Sequence, residues 1–265
     1  MRWIIGDIHG MFRPLDALIA QVERRDVDAH FIFVGDYVNR GPESPKVIDR
    51  LLKLPHATFL RGNHDDVFDL ILHDTCYMCN DGAPTAQSAF GWFMQHGLAE
   101  TLTSYGADWA ELDHLWHHPN PRKLREQIEV VPPAHRQFIR DLKPVVEQDD
   151  IFVAHAFWDP DALDESPAIA QRLASSPRLR HQLLWGRYTG EQVTRKKKWK
   201  RTGYFGHTPV LNYAPTDDPK PIFGPQIVLL DTAAALLPQG RLSAVCADNS
   251  HVVQVERDGT VIEGT

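Results

Sequence analysis

The chain is poor in cysteine: three thiols in 265 residues are too few for a disulfide framework, which suits a reducing compartment. It has no apolar run long enough to span a bilayer, so no membrane-spanning helix is expected. Met1-Arg2-Trp3-Ile4 leads directly into an apolar segment and leaves no room for a signal peptide, so the expected location is cytoplasmic. Positive charge is in the minority: 28 Lys and Arg against 35 Asp and Glu leave a net charge of −7, which excludes a general nucleic-acid-binding protein. Internal repeats and low-complexity tracts are absent. Cys76 and Cys79 form a C-x-x-C, but without a second such pair it is not the pattern of a zinc knuckle. With 43% apolar residues the chain can bury one large core, and a single domain over residues 1–265 is expected.

Against this background five segments stand out: Gly6-Asp7-Ile8-His9-Gly10, Gly35-Asp36-Tyr37-Val38-Asn39-Arg40-Gly41, Arg61-Gly62-Asn63-His64-Asp65, His155 and Gly206-His207-Thr208. Each follows a short apolar run of the kind that forms a buried parallel strand: Trp3-Ile4-Ile5, Phe31-Ile32-Phe33-Val34, Thr58-Phe59-Leu60, Ile151-Phe152-Val153 and Tyr204-Phe205. Leu15, Leu18, Ile19 and Val22 fall at helical spacing between the first two runs, and Val47, Ile48, Leu51 and Leu52 follow Ser44-Pro45 before the third. The pattern is β-α-β-α-β. Parallel strands with right-handed crossovers point their carboxyl ends to one sheet edge, where ligand sites of open α/β sheets lie.

The residue types at that edge indicate the chemistry. Asp and His suit borderline or hard divalent ions such as Mn, Fe or Zn, and no thiolate accompanies them. Two such ions about 3.5–4 Å apart share a carboxylate and a water, and that water serves as a hydroxide nucleophile at neutral pH. Phosphoryl transfer also needs charge neutralisation on the non-bridging oxygens, for which Arg40 and Arg61 are candidates, and an acid for the leaving group, for which His64 is. The segments offer no side-chain nucleophile, so direct attack with inversion at phosphorus is expected.

The segments resemble the signature of the calcineurin-like metallophosphoesterases, in particular the phosphoprotein phosphatase family with its small bacterial and phage members. The resemblance covers residues 1–66 closely, then about 150–160 and 203–247. It implies an α/β sandwich of two mixed β-sheets flanked by helices, with a dinuclear metal centre at one edge. By position, Asp7, His9 and Asp36 would hold one metal ion and Asp36, Asn63, His155 and His207 the other, with Asp36 bridging. His64 matches the family's catalytic histidine, and Arg40 and Arg61 match two phosphate-binding arginines. Leu184-Trp185-Gly186-Arg187 is similar to a segment that brings a further one, Arg187. Leu230-Asp231-Thr232-Ala233 and Arg241-Leu242-Ser243-Ala244 resemble the late strand pair, a structural support. The resemblance implies two divalent ions, Mn first, and a phosphomonoesterase of the Ser/Thr protein phosphatase type acting on a phosphorylated protein or peptide. Hydrolysis of symmetrical dinucleoside tetraphosphates and a non-catalytic binding role on the same fold are the alternatives.

Two positions depart from the family pattern. Asn39 stands where Asp is usual; its side-chain oxygen can accept from His64 Nδ1 but brings no charge, so a less basic His64 is expected. Asp65 replaces Glu, and either acid suits the first turn of the helix that Val67, Leu70 and Ile71 indicate. Residues 74–150 carry helical patterns such as Trp109, Leu112, Leu115 and Trp116 and read as a largely helical insertion beside the metal edge. The basic run 195–201 reads as a solvated loop or as a guide for an anionic substrate, and the Pro-rich stretch 209–225 as a loop.

Overall fold

Two sheets face each other across an apolar layer in the computed structural model, which describes residues 1–74, 85–158, 172–173 and 176–263. Cys76 and Cys79 lie outside the described residues. The first sheet runs β11-β10-β9-β1-β2-β3, with β1 (Arg2–Ile5), β2 (His30–Phe33) and β3 (Ala57–Phe59) parallel. β9 (Arg241–Cys246), β10 (Val252–Glu256) and β11 (Val261–Glu263) extend it as an antiparallel meander. The second sheet runs β4-β5-β6-β8-β7. In it β5 (Ile151–Ala154), β6 (Thr202–Phe205) and β8 (Ile227–Leu229) are parallel between antiparallel edges β4 (Val145–Glu147) and β7 (Ile222–Phe223).

The strands read as unbroken apolar runs because both of their faces are covered. Ile4, Ile32, Val34 and Leu60 point into the layer between the sheets, against Ile151, Val153, Tyr204 and Val228. Trp3, Ile5, Phe31 and Phe33 turn the other way, into the core that α1 (Phe12–Arg25) and α2 (Ser44–Leu51) complete. On the far side of the second sheet Phe152, Ala154, Phe205 and Leu229 pack with Leu179 and Leu183 of the helix Pro177–Trp185. α1 buries Leu15, Leu18, Ile19 and Val22, and α2 buries Val47, Ile48 and Leu51. Leu52 falls just past the end of α2 and is exposed.

After α3 (Asn63–His73), the described part of the expected insertion forms α4 (Ala86–Phe93), α5 (Leu98–Ser104), α6 (Trp109–His117), α7 (Pro121–Ile128) and α8 (Pro133–Arg140). Asp108 and Asn120 cap α6 and α7 by accepting from first-turn amides. Phe90, Phe93, Leu98, Leu102, Leu112 and Leu115 join the first core instead of building one of their own. Trp109 departs from the expected apolar stripe: it opens α6 and is exposed, because Leu112 and Leu115 already reach the core.

The basic run is not a free loop. Lys197 and Trp199 are buried, Trp199 within the second core, while Lys196, Lys198 and Lys200 are exposed, so the run lies on the surface with alternate residues turned in. The stretch 209–225 also holds more structure than expected, with a 3-10 turn over Val210–Asn212 and the edge strand β7. Among the described residues no helix is long and apolar enough to cross a membrane.

Candidate metal centre

The parallel strands deliver their polar residues to one edge: Asp7 and His9 after β1, Asp36, Asn39 and Arg40 after β2, Asn63 and His64 after β3, His155 after β5 and His207 after β6. The first sheet supplies one side and the second sheet the other. The backbone there is strained. Of the eight non-glycine residues with positive φ among those described, His9, Asp36, Asn39, Arg40 and His207 are five, so most of this strain sits at the edge. The loops also approach closely: a Cβ on Gly62 would overlap the Asp36 carboxylate, and one on Gly206 the Asp7 carboxylate.

Two buried devices hold the loops in place, and neither was anticipated from sequence. Asp65 accepts from the amides of Asp36 at 2.7 Å, Tyr37 at 3.0 Å and Gly62 at 2.9 Å, and so ties the β2 loop to the β3 loop. It stands in the first turn of α3, as expected, and its bond to Gly62 caps that helix. Burial pushes its carboxyl up to about 6 despite these three donors. Thr101 of α5 accepts from Asn39 N at 2.7 Å, and the Gly97 carbonyl accepts from Arg40 N at 3.1 Å. The segment around α5 therefore grips the two left-handed residues Asn39 and Arg40.

The histidines show what the edge is built to receive. His9 Nδ1 donates to the Val38 carbonyl at 2.9 Å and His155 Nδ1 to the Val34 carbonyl at 3.0 Å, which fixes each tautomer and leaves Nε2 as a lone pair. Burial holds both rings neutral, driving His155 down to about 3 and His9 well below the usual histidine value. His155 Nε2 then lies 2.9 Å from Asn63 Oδ1 and 3.5 Å from Asp36 Oδ2, and His9 Nε2 lies 3.4 Å from the same Asp36 oxygen. His207 Nδ1 approaches Asn63 Oδ1 at 3.0 Å. The His155 lone pair thus faces two acceptors.

The charges agree. Burial, then Asp231 and Asp36, push the Asp7 carboxyl well above the carboxylate range; burial and then Asp65 do the same to Asp36. Arg40 is the cation that offsets each of them. Asp7, Asp36 and His155 present donor atoms within 4.8 Å of one another, and so do His9, Asp36 and His64, with Asp36 common to both groups. A buried cluster of carboxylates and imidazole lone pairs, met only in part by N–H groups of Arg40, His64 and His207, fits divalent cations. Asp231, read from sequence as structural support, adds a third buried carboxylate, and its Oδ2 has no hydrogen-bond partner among the described residues. The signal was present: like Asp7, it directly follows an apolar parallel strand.

His64, buried, and Arg40, half-buried, border this cluster. The Arg40 guanidinium donates to His9 Nε2 and reaches His64 Nε2 at 3.3 Å. Burial first, then His9 and Arg40, hold His64 well below the usual histidine value. Asn39 meets His64 Nδ1 through its amide nitrogen, at 2.8 Å, rather than through the oxygen expected from sequence. Arg187, exposed beside the cluster, donates to Thr208 Oγ1 at 3.1 Å.

Arg61 is a correction. Its Nη1 donates to Asp66 at 3.2 Å and Asp69 at 2.9 Å, and its Nη2 to the carbonyls of Ile139 and Arg140 at 3.0 Å. The guanidinium is buried between α3 and α8 and does not join Arg40 at the edge. Its place in the motif matches a phosphate-binding arginine; its side chain is committed to holding two helices together.

A family model of calcineurin-like phosphoesterases matches residues 2–186. A segment of 65 residues is 45% identical to a symmetrical bis(5'-nucleosyl)-tetraphosphatase of Bordetella pertussis, covering 24% of each chain. A segment of 63 residues is 41% identical to serine/threonine-protein phosphatase 2 of Escherichia coli, covering 24% of this chain and 28% of that one. The aligned part thus spans about a quarter of the length of these curated relatives. Among solved structures, the cold-active protein-tyrosine phosphatase of a psychrophilic Shewanella superposes with a TM-score of 0.56 over 99% of this chain and 79% of that one, at 14% identity, a likeness of fold.

Proposed function

The chain belongs to the calcineurin-like phosphoesterases, and from that premise we propose that it hydrolyses phosphoesters with divalent metal ions held at the strand edge. The observation that supports this most is the acceptor cluster around Asp36, in which neutral imidazoles turn lone pairs toward a carboxylate and an amide oxygen. Asp7, His9, Asp36, Asn63, His155 and His207 are the residues that would hold the ions. When bound, divalent ions polarise a phosphoryl oxygen and lower the pKa of a water to near neutrality. Mn is the ion we propose, although Fe and Zn accept the same donors.

The chain's own residues supply the rest. Arg40, half-buried between His9 and His64, offers its fork of donors to the non-bridging oxygens. Arg187 extends this positive wall on the side of His207. His64 is neutral in the free site, so the proton it passes to the leaving oxygen arrives with the substrate, whose second phosphate ionisation lies near 6. The substrate on this reading is a phosphomonoester of the Ser/Thr protein phosphatase type.

A second reading, cleavage of a dinucleoside polyphosphate, is favoured by Asn39. A neutral amide against His64 gives the imidazolium no charge support, and a nucleotide leaving group depends less on protonation than an alkoxide does.

The test compares p-nitrophenyl phosphate with phenyl phosphate, using metal-stripped and Mn-loaded protein and a His64→Asn variant. Hydrolysis should require the metal, and the variant should lose more on phenyl phosphate, whose leaving group needs the proton more. Hydrolysis that ignores metal, or equal losses on both esters, would sink the assignment.

A further inference from the structure

Trp92 lies on α4 between the buried Phe90 and Phe93, yet 49% of it is exposed. It stacks on Trp185, the last residue of the helix Pro177–Trp185, with ring centroids 5.4 Å apart and planes 21° from parallel. The two rings come from elements far apart in sequence, α4 and the helix Pro177–Trp185. Each leads straight to the edge. Trp185 meets the His207 ring at 6.2 Å, edge to face. Trp92 meets Phe93 at 4.9 Å and His96 at 5.8 Å, and these meet His64 at 5.1 Å and 6.5 Å. The pair is thus one ring away from each flank of the place where Arg40 and His64 receive a phosphoryl group.

Trp185 is partly buried against the first core, whereas Trp92 keeps half its surface in solvent. A half-exposed indole in a stack beside a charged site is a surface on which a flat ring can lie, and stacking on it is indifferent to the exact ring. We propose that Trp92 and Trp185 form a specificity-determining platform for a planar aromatic group carried by the substrate next to its phosphate, a nucleobase or an aryl group. This rests on the edge being a phosphate seat. It explains what a half-exposed tryptophan backed by a second one does there: a substrate with a ring gains the platform, and one with an alkyl chain does not.

The test is equilibrium binding, which needs no turnover. Calorimetric titration of the Mn-loaded protein uses three probes: methylphosphonate, phenylphosphonate and adenosine monophosphate, the last as its non-hydrolysable phosphonate analogue with methylene in place of the ester oxygen. The ring-bearing probes should bind about tenfold or more tightly than methylphosphonate, the range that base–aromatic stacking supplies. Trp92→Leu, which keeps apolar bulk, should abolish that advantage without changing methylphosphonate affinity, and Trp92→Phe should restore much of it. A phenylphosphonate advantage matched by adenosine monophosphate assigns the platform to rings in general, whereas a further gain for adenosine monophosphate assigns it to nucleobases. Equal binding of all three probes, a ring advantage that survives Trp92→Leu, or no saturable binding of any probe overturns the proposal. Ring-dependent binding without hydrolysis of any ester would instead uphold the platform and overturn the catalytic reading.

Discussion

Replacing Arg61 by Met separates the two roles that its sequence position and its side chain suggest. The substitution keeps the length of the side chain and removes a buried guanidinium that serves Asp66, Asp69 and the carbonyls of Ile139 and Arg140. Breaking one partner of a buried pair leaves uncompensated charge at a cost of roughly 3–5 kcal/mol. For a chain of this size a loss on that order lowers the melting temperature by about 10 °C. Burial already pushes the Asp66 carboxyl up to about 7. Its folded value is raised above the unfolded one, so the protonated form favours folding, and that contribution is lost as pH rises through about 7. The Arg61→Met deficit should therefore be larger at pH 8 than at pH 5, and adding Asp66→Asn should recover part of it. Urea midpoints at both pH values, with KM and kcat on p-nitrophenyl phosphate, decide the matter. An Arg61→Met protein with the parent midpoint and a KM raised tenfold would refute the placement of Arg61 between the helices.

Further outcomes follow from the site itself. Thr101→Val removes the hydroxyl that accepts from Asn39 N and meets Ser44 Oγ, leaving a buried donor unmet at roughly 1–3 kcal/mol; kcat should fall several-fold, and Thr101→Ser should restore it. Asn39→Asp places a carboxylate against His64 Nδ1, so the pH–rate profile should move upward, with a larger gain on phenyl phosphate than on p-nitrophenyl phosphate; an unchanged profile would contradict the role given to Asn39. In metal-stripped protein the raised carboxyls of Asp7, Asp36 and Asp65 bind protons better folded than unfolded, so stability should fall as pH rises from about 4 through 6 and beyond, and added Mn should flatten that slope in thermal melts. A metal-stripped protein that gains stability over that interval would oppose this account of the acid cluster.

The alternation of strand and helix was legible because residues such as Ile4, Ile32 and Ile151 belong to strands buried on both faces, and unbroken apolar runs carry that information. Asp7, Asp36, His155 and His207 were visible for the same reason: each is the first chemically active residue near the end of a run. Arg61 shows the limit of such reading. A motif fixes where a backbone lies, but the rotamer answered to Asp66 and Asp69, five and eight residues on, whose shared helix face was a signal left unused. Thr101 was out of reach for another reason, since it acts through one hydroxyl on a helix with no motif, across 62 residues of chain. Asp65 was visible, but its contacts to three amides depend on how two loops meet, which no spacing encodes.

The apolar layer between the sheets acquires a mechanical meaning from the way the edge is divided. Asp36 and Asn63 ride on the first sheet and His155 and His207 on the second, so their separations of about 3 Å are set by how firmly Ile4, Ile32, Val34 and Leu60 seat against Ile151, Val153, Tyr204 and Val228. A packed interior resists shear as an organic solid does. The hydrocarbon layer is therefore the spring constant of the donor set: a smaller side chain within it would leave every polar residue unchanged and still soften the spacing on which they act together.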